Sequence, residues 1–137
     1  AGSRDHSRTP MCWDTTENAG FTTGTPWIRL NGDYAECNAT TQIADENSPF
    51  NYYKSLMALR KEYKSTMVYG DFQPLKTSDK TFCLYRESAD AKIYIEMNLT
   101  ENTIDRPNPT GGKCLLSNYD EPKERLRPYE VNIYKVK

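Results

Sequence analysis

The densest group of chemically versatile side chains lies near the N-terminus. Residues 4–14 read Arg-Asp-His-Ser-Arg-Thr-Pro-Met-Cys-Trp-Asp, and a second tryptophan follows at Trp27. A guanidinium group can donate two parallel hydrogen bonds to oxygen acceptors, and an indole can cover the apolar face of a sugar ring. The segment therefore indicates a site for a polyhydroxylated ligand. An arginine–aspartate network that only fixes the loop fits the composition equally well.

Other catalytic chemistry finds little support in the sequence. His6 is the only histidine, so a catalytic triad would have to use it together with Asp5 and Ser7. The members of a triad must point at one another, which side chains adjacent in sequence seldom do. The carboxylate pairs Asp45-Glu46 and Asp120-Glu121 stand among turn-forming residues, which indicates solvated surface. No glycine-rich phosphate-binding motif occurs.

The cysteines do not form a metal-binding or redox pattern. Their spacing contains no Cys-x-x-Cys pair, so we expect no metal site, and isolated cysteines favour free, buried thiols over two disulfides. The four are Cys12, Cys37, Cys83 and Cys114. Asn38 and Asn98 each begin an Asn-x-Thr glycosylation sequon. These short motifs leave both a cytoplasmic and a secreted location open.

Length and charge exclude several classes of partner. The chain has 137 residues, enough for one domain with a core. With 18 Lys and Arg against 19 Asp and Glu, it has no basic field for nucleic acid or anionic lipid. No apolar run is long enough to cross a bilayer. We therefore expect neither nucleic-acid nor membrane partners, and no cofactor.

A loop-like segment and one helix make up the first part of the chain. Glycine, proline and small polar residues interrupt residues 1–47, and so long an irregular stretch usually lies across a larger scaffold. Ser48 then fits an N-cap, with Pro49 at the first helical position and a helix running to Tyr63. The expected apolar face of this helix consists of Phe50, Tyr53, Leu56, Met57 and Tyr63, with Leu59 at its margin.

Short β-rich runs follow the helix. They occupy 67–69, 81–85, 92–97, 113–116 and 131–136, and turn-forming residues separate them. This spacing predicts an antiparallel sheet or a small sandwich, with a boundary near residue 65 and an α+β fold for the chain as a whole. The residues expected inside the β module are Phe82, Leu84, Ile93, Ile95, Leu115, Val131 and Ile133.

The motifs together resemble one known family. Residues 4–14, Asn18-Ala19-Gly20-Phe21-Thr22 and Gly24-Thr25-Pro26-Trp27-Ile28 are similar to a signature of the oligo-1,6-glucosidase and maltase group, in the α-amylase superfamily of glycoside hydrolases. The resemblance continues through residues 50–61 and Val68-Tyr69-Gly70 to Leu126-Arg127-Pro128-Tyr129-Glu130. It therefore covers essentially the whole chain.

The resemblance implies an architecture and a division of labour. Residues 1–65 would be the final loop and last helix of a (β/α)8 catalytic barrel, and residues 66–137 a C-terminal antiparallel β-sandwich domain. The family's nucleophile and acid/base carboxyls lie upstream of this stretch, and a retaining mechanism needs both. We therefore expect no catalytic residue in this chain, which should be inactive alone.

The resemblance also implies roles for four residues. Arg4 matches the arginine that holds the non-reducing-end glucose, which would make the enzyme exo-acting. Asp5, Arg8 and Trp13 would support the shape of the loop. Cys12 departs from the pattern, because the family usually has glutamine there and a thiol cannot replace an amide's hydrogen bonds.

Three functions fit these observations. The leading one is the C-terminal portion of a retaining α-glucosidase acting on maltose- or isomaltose-type oligosaccharides, with the upstream barrel as its partner. The second is a non-catalytic carbohydrate-binding or immunoreactive module derived from such an enzyme. The third, a non-enzymatic ancillary subunit of the superfamily, is disfavoured by the intact sugar-site signature.

Overall fold

The computed structural model of the protein describes residues 3–108 and 111–136, and the side chains among them from residue 5 onward. The chain divides into two compact units, Ala1–Tyr53 and Lys54–Lys137. This division falls inside the helix that contains residue 53, whereas the sequence predicts a domain boundary near residue 65. Each unit is considered by itself below.

The first unit contains little regular structure, as its composition predicts. Two short 3-10 helices, Ser3–Ser7 and Glu17–Gly20, precede helix α1 (Ala39–Ala44). The expectation of loop throughout residues 1–47 is wrong for α1. Asn38 caps this helix, because its side chain accepts a hydrogen bond from Thr41 N while the Thr41 hydroxyl accepts one from Asn38 N. This local pairing is a capping box.

Helix α2 (Pro49–Glu62) begins where the sequence predicts. The Ser48 hydroxyl accepts a hydrogen bond from Asn51 N, which satisfies a donor that the first turn leaves unpaired. The Asn51 side chain in turn donates to the backbone carbonyls of Gln42, Ile43 and Asp45. The start of α2 is therefore fixed by short-range contacts that the sequence encodes directly.

The buried face of α2 differs from the predicted one. Leu59, expected at the margin, is buried, and Leu56 and Tyr63 pack beside it against the sheet described below. The prediction is wrong for Phe50, Tyr53 and Met57, which are exposed. Helical periodicity identifies apolar stripes, but the side that becomes buried depends on where the sheet lies.

The second unit is built on an antiparallel sheet, as predicted. After helix α3 (Lys64–Met67), the described residues form seven strands. They are β1 (Asp71–Pro74), β2 (Thr81–Glu87), β3 (Lys92–Asn98), β4 (Ile104–Asp105), β5 (Lys113–Ser117), β6 (Arg125–Leu126) and β7 (Val131–Lys135). Five form a sheet in the order β1-β2-β3-β7-β5, and β4 pairs with β6 in a two-stranded ribbon. The predicted strand at 67–69 is wrong, because α3 ends there and β1 begins only at Asp71. The prediction that the two sheets form a sandwich stays a prediction.

The sheet buries both faces, but with different chemistry. On one face, Ile93 and Ile133 pack with Leu59 of α2. On the other, Tyr94, Tyr134 and Cys83 form a second cluster. Alternation along each strand places these sets on opposite sides.

Burial follows the prediction at most positions. Leu84, Ile93 and Ile133 are buried, and Ile95, Leu115 and Val131 are partly buried. Phe82 was expected inside but is 40% exposed. It lies on the face that carries Leu59, but at the end of β2 away from Arg86, whose guanidinium donates to carbonyls of Thr66 and Val68 at the helices. Within residues 3–108 and 111–136, no helix is both long and apolar enough to span a membrane.

Candidate functional site

The loop that carries the predicted sugar-binding residues begins in the 3-10 helix Ser3–Ser7. The backbone of Arg4 belongs to this helix, but its side chain lies outside the described residues, so its predicted contact with sugar stays a prediction. Asp5 and Arg8 are exposed, and their backbones are joined by a 3.0 Å hydrogen bond from Arg8 N to Asp5 O. This bond closes the turn that follows Arg4.

Backbone hydrogen bonds hold the segment at Cys12 and Trp13. Cys12 O accepts from Ala39 N at 2.9 Å, and Trp13 O accepts from both the backbone and the hydroxyl of Thr40. Trp13 N donates to Ala19 O at 2.9 Å. The Trp13 indole itself is 52% exposed. The segment around Trp13 is therefore supported through its main chain, which the N-terminus of α1 anchors.

The Cys12 side chain is buried, and its thiol donates to Pro10 O at 3.9 Å. A thiol is a weak donor that behaves largely as a small hydrophobe. The departure from glutamine at this position is therefore compatible with an ordered loop, because the main-chain bonds of Cys12 remain in place. All four cysteines are free, as the sequence favours, but the expectation of buried thiols holds only for Cys12 and Cys83, since Cys114 is partly buried and Cys37 is exposed.

The Asn-Ala-Gly run is a sharp turn built from three left-handed residues. The φ angles of Asn18, Ala19 and Gly20 are 54°, 55° and 66°. The Asn18 amide donates to the carbonyls of Thr22 and Gly24, at 3.1 Å each, which compensates the unfavourable conformation. At Gly20 a Cβ atom would stand 2.8 Å from the oxygens of the Asp14 carboxylate. A side chain at this point would be strained by the positive φ and would have to displace the Asp14 carboxylate, which explains the glycine.

The Asp14 carboxylate fixes the same turn. Its Oδ1 accepts hydrogen bonds from the side chain and the backbone of Thr16, and these bonds lower the pKa of Asp14. Asp14 is therefore an ionised, bonded support for the loop and has the contacts of a structural residue. The sequence alone predicts no role for Asp14.

A cavity of about 320 Å³ adjoins the first 3-10 helix. Among its lining residues are Asp5, His6, Thr9, Trp27, Arg29 and Asn31. Carboxylate, imidazole, guanidinium and amide groups beside an indole that is 86% exposed suit a polyhydroxylated ligand. The predicted loop-supporting residues Arg8 and Trp13 are not among the residues that line it. Arg29 and Asn31 were not predicted as lining residues, because they lie beyond the motif that ends at Ile28.

A second group of charged residues lies inside the second unit, on the sheet face that carries Tyr94. Glu96 and Glu130 are fully buried, and the Asn132 amide donates to both, at 3.2 and 3.0 Å. Arg106 pairs with Glu96 at 2.7 Å, and Arg127 pairs with Glu130 at 2.9 Å. Two neighbouring carboxylates could suggest a glycosidase pair. Here each carboxylate is buried and paired with an arginine, so the group is a structural network.

Burial and hydrogen bonding have opposite effects on Glu130. Burial raises the pKa of its carboxyl, but hydrogen bonds from the Arg127 side chain and backbone and from the Asn132 side chain outweigh burial and hold the pKa below its usual value. Burial likewise raises the pKa of the Cys83 thiol and of the Tyr94 and Tyr134 hydroxyls. The described residues contain no group of three or more His, Cys, Asp and Glu side chains arranged to hold a metal ion.

Both sequon asparagines are buried and serve the fold. The Asn38 amide donates to Tyr34 O at 2.9 Å, and the Asn98 amide donates to Asn102 O and Arg127 O at 2.8 and 2.7 Å. Their exposures are 3% and 2%. A glycan on either amide nitrogen would have to displace these bonds, so neither sequon fits a glycosylation site in this fold.

Comparison with known proteins agrees with this picture. The family model described as alpha amylase, catalytic domain, matches residues 1–70. The chain is 40% identical to an oligo-1,6-glucosidase of Parageobacillus thermoglucosidasius, covering 98% of this chain and 26% of that protein. It is 38% identical to an alpha-glucosidase of Schizosaccharomyces pombe, covering 98% of this chain and 24% of that protein. The chain thus spans about a quarter of the length of the curated relatives it matches.

Solved structures show the same relationship in three dimensions. A trehalose-6-phosphate hydrolase of Bacillus licheniformis superposes with a TM-score of 0.87 at 36% identity, covering 98% of this chain and 26% of that one. An isomaltulose synthase of Klebsiella sp. LX3 gives a TM-score of 0.90 at 29% identity over the same shares. The chain belongs to the alpha-amylase family of glycoside hydrolases, within the group that contains the oligo-1,6-glucosidases and alpha-glucosidases.

Proposed function

We propose that this chain is the C-terminal portion of a longer, retaining, exo-acting α-glucosidase. The substrates would be maltose- or isomaltose-type oligosaccharides. The observation that carries the proposal is the loop from Arg4 to Gly20, in which Asp5, His6 and Thr9 line the cavity and Asp14 and Gly20 belong to the turn. The left-handed turn at Gly20 and the main-chain anchors at Cys12 and Trp13 give physical reasons for that signature.

The two parts of the chain contribute differently to this function. Residues 1–65 would be the final loop and last helix of the catalytic barrel, and residues 66–137 would be a stabilising C-terminal β domain with sandwich packing. The match of residues 1–70 to a catalytic domain supports the first assignment. So does the composition of the first unit, in which the buried hydrophobic residues are only Cys12 and Ala19 among the described ones. A segment of that size has too small an apolar core to hold itself together.

Arg4 would hold the terminal glucose. A planar guanidinium can bond a sugar hydroxyl and a partner carboxylate together, whereas the ammonium group of a lysine is a point donor with a different reach. Losing such a contact and leaving its partner unpaired costs about 2–4 kcal/mol. In the complete enzyme, Arg4→Ala or Arg4→Lys should therefore lower kcat/KM by roughly 30- to 1000-fold.

The matched control variants are Arg8→Lys and Trp13→Phe, since both residues are in the same loop. After correction for stability, each should retain much more kcat/KM on maltose than Arg4→Ala. Near-normal kcat/KM in Arg4→Ala together with a large loss in Arg8→Lys would move the sugar contact to Arg8. The chain without the upstream carboxyls should not hydrolyse maltose, isomaltose or a chromogenic α-glucoside, and turnover that survives rigorous purification would contradict the proposal.

The cavity beside Trp27 favours a second candidate function, a non-catalytic carbohydrate-binding module. Calorimetric titration of the chain with maltose separates the two. Binding that Trp27→Ala abolishes, in a native protein whose intact mass is 15.8 kDa, would favour the module. A native protein several times heavier would favour the enzyme.

A further inference from the structure

An asparagine–glycine pair lies in the loop beside the cavity at Trp27. Asn31 lines that cavity together with Arg29, and Gly32 follows it directly. Both residues of the pair are exposed. Asparagine is a chemically labile residue, because the backbone nitrogen of the next residue can attack its amide carbon. Whether this reaction proceeds depends on how freely the chain moves at the pair and on what holds the two reacting groups.

No hydrogen bond holds either reacting group. Within the part of the chain that the structure describes, the Asn31 amide has no hydrogen-bond partner and Gly32 N has no acceptor. The bonds that close the following turn run from Glu36 N and Cys37 N to Asp33 O, so they begin after Gly32. A Cβ atom at Gly32 would meet nothing within 4 Å. The nitrogen and the amide carbon are therefore free to approach each other.

Asn47 provides a contrast, since it is also exposed and is also followed by a small residue, Ser48. There the nitrogen that would attack is occupied, because Ser48 N donates to Asp45 O at 3.0 Å. Ser48 is also buried and caps helix α2. The two sequon asparagines are buried, and their amides are bonded to carbonyls. Among these asparagines, Asn31 alone has both reacting groups free.

We propose that Asn31 is a site of spontaneous deamidation that alters the cavity. Gly32 N gives up its proton and bonds to the Asn31 Cγ, the bond from Cγ to the amide nitrogen breaks, and ammonia leaves with that proton. Water then adds to either carbonyl carbon of the cyclic succinimide and opens it to aspartate or isoaspartate. Water is consumed, ammonia is released, and no oxidant or reductant takes part.

Deamidation changes what the cavity can bind. An amide both donates and accepts hydrogen bonds, whereas a carboxylate only accepts them. The product also adds negative charge to a cavity that Asp5 already lines, and the isoaspartate form lengthens the main chain. A sugar hydroxyl that accepts from the Asn31 amide would lose that bond. This consequence for sugar rests on the proposed function, whereas the reaction itself does not.

Incubation of the native protein at mildly alkaline pH, followed by peptide mass spectrometry, tests the reaction. The peptide that contains Asn31 should gain about 1 Da and separate into aspartate and isoaspartate forms. Its conversion should be at least about tenfold faster than that of the peptide that contains Asn47, because glycine leaves the chain flexible and its nitrogen is unbonded.

Gly32→Ala is the control variant, because its Cβ has space in the fold but restricts the backbone of the attacking residue. This substitution should slow the conversion of Asn31 at least about fivefold, because alanine lacks the conformational freedom of glycine. Equal rates at Asn31 and Asn47, or an unchanged rate in Gly32→Ala, would overturn the proposal.

Titration with maltose tests the consequence for the cavity. Asn31→Asp is the matched variant, because it supplies the carboxylate of the product without the reaction. Its Kd for maltose should be about fivefold higher than that of the unmodified protein, since a hydrogen bond is lost. An unchanged Kd would refute the effect on the cavity and leave the proposed function intact. Failure of the unmodified protein to bind maltose would contradict both, and the peptide masses would still decide whether Asn31 reacts.

Discussion

Removing the Arg106 guanidinium should destabilise the second unit far more than removing a surface arginine that lies equally close to its carboxylate partner. Arg106 Nη2 stands 2.7 Å from Glu96 Oε1, and the Glu96 side chain is completely buried. The Asn132 amide donates to the same oxygen at 3.2 Å, and the Tyr94 hydroxyl lies 3.4 Å from the other. Substituting Arg106 with methionine keeps much of the apolar stem but leaves the carboxylate without its countercharge.

The expected size follows from burial. At 2.7 Å and an effective dielectric constant of about 20, the direct attraction is roughly 6 kcal/mol. Taking each ion out of water costs several kcal/mol, so the intact pair contributes little net stability. Losing one partner is different, because the desolvation penalty of Glu96 remains uncompensated. Arg106→Met should therefore lower the free energy of unfolding by about 3–5 kcal/mol.

Arg125 provides the control. Its Nε lies 2.8 Å from Asp105 Oδ1, nearly the same separation, but the two side chains are 55% and 90% exposed. Exposed pairs contribute about 0–1 kcal/mol, so Arg125→Ala should change the free energy of unfolding by no more than that. The comparison therefore isolates burial from distance.

Urea unfolding followed by far-ultraviolet circular dichroism measures both variants. A second substitution, Glu96→Gln, should restore most of the loss in Arg106→Met, because a neutral amide no longer needs the cation and still accepts from Asn132. The double variant must then be more stable than additivity allows. The reasoning is refuted if Arg106→Met costs no more than Arg125→Ala, or if the two substitutions add.

Three further outcomes follow from the described contacts. Because the pKa of the Glu130 carboxyl is held low, the stability that this group contributes is present above its ordinary pKa of about 4.3 and is lost as pH falls through the lower folded-state pKa. Glu130→Gln should therefore reduce the fall in the free energy of unfolding measured between pH 6 and pH 3. Gly20→Ala should lower the free energy of unfolding by at least about 1 kcal/mol, because the positive φ alone strains a residue with a side chain. Gly32→Ala should not destabilise, because a Cβ atom at Gly32 meets nothing within 4 Å. Equal melting temperatures of the two variants would contradict this. Iodoacetamide should label the exposed thiol of Cys37 well before that of Cys83, which is buried and has a raised pKa, and mass spectrometry of peptides would detect the reverse order.

Local chemistry made some of the fold predictable from sequence. The start of α2 depends on Ser48 and Pro49, which act within one turn of the helix, and four of the strands show as runs between turn-forming residues. Three strands were not predicted: β1, in place of which a strand was expected at 67–69, and β4 and β6, which have two residues each and no periodic pattern to detect. Which side of α2 is buried was not predictable, because the sheet that covers Leu59 is formed by chain that follows it.

The buried pair of Glu96 and Arg106 shows a different limit of prediction from sequence. Along β3, Glu96 alternates with Ile95 and Met97, which ordinarily indicates a solvent-facing side chain on a half-buried strand. The structure instead buries it, because Arg106 pairs with it from the segment that follows the two-residue strand β4. No spacing rule links two such residues, so the pair is visible only once the chain is folded.

The late family motif has a role different from that of the N-terminal one. In Leu126-Arg127-Pro128-Tyr129-Glu130, Tyr129 has a left-handed φ of 53°, a strained conformation for a residue with a side chain. Three contacts hold it: Tyr129 N donates to Thr100 O, the Asn118 amide donates to Tyr129 O, and Arg127 pairs with Glu130 across the turn. The turn leads directly into β7, which lies between β3 and β5 in the sheet. The late motif therefore serves to position β7 in the sheet, whereas the Asn-Ala-Gly turn shapes a loop beside a cavity. Substitutions in the late motif should therefore act on stability alone, whereas those in the early motif should act on binding as well as on stability.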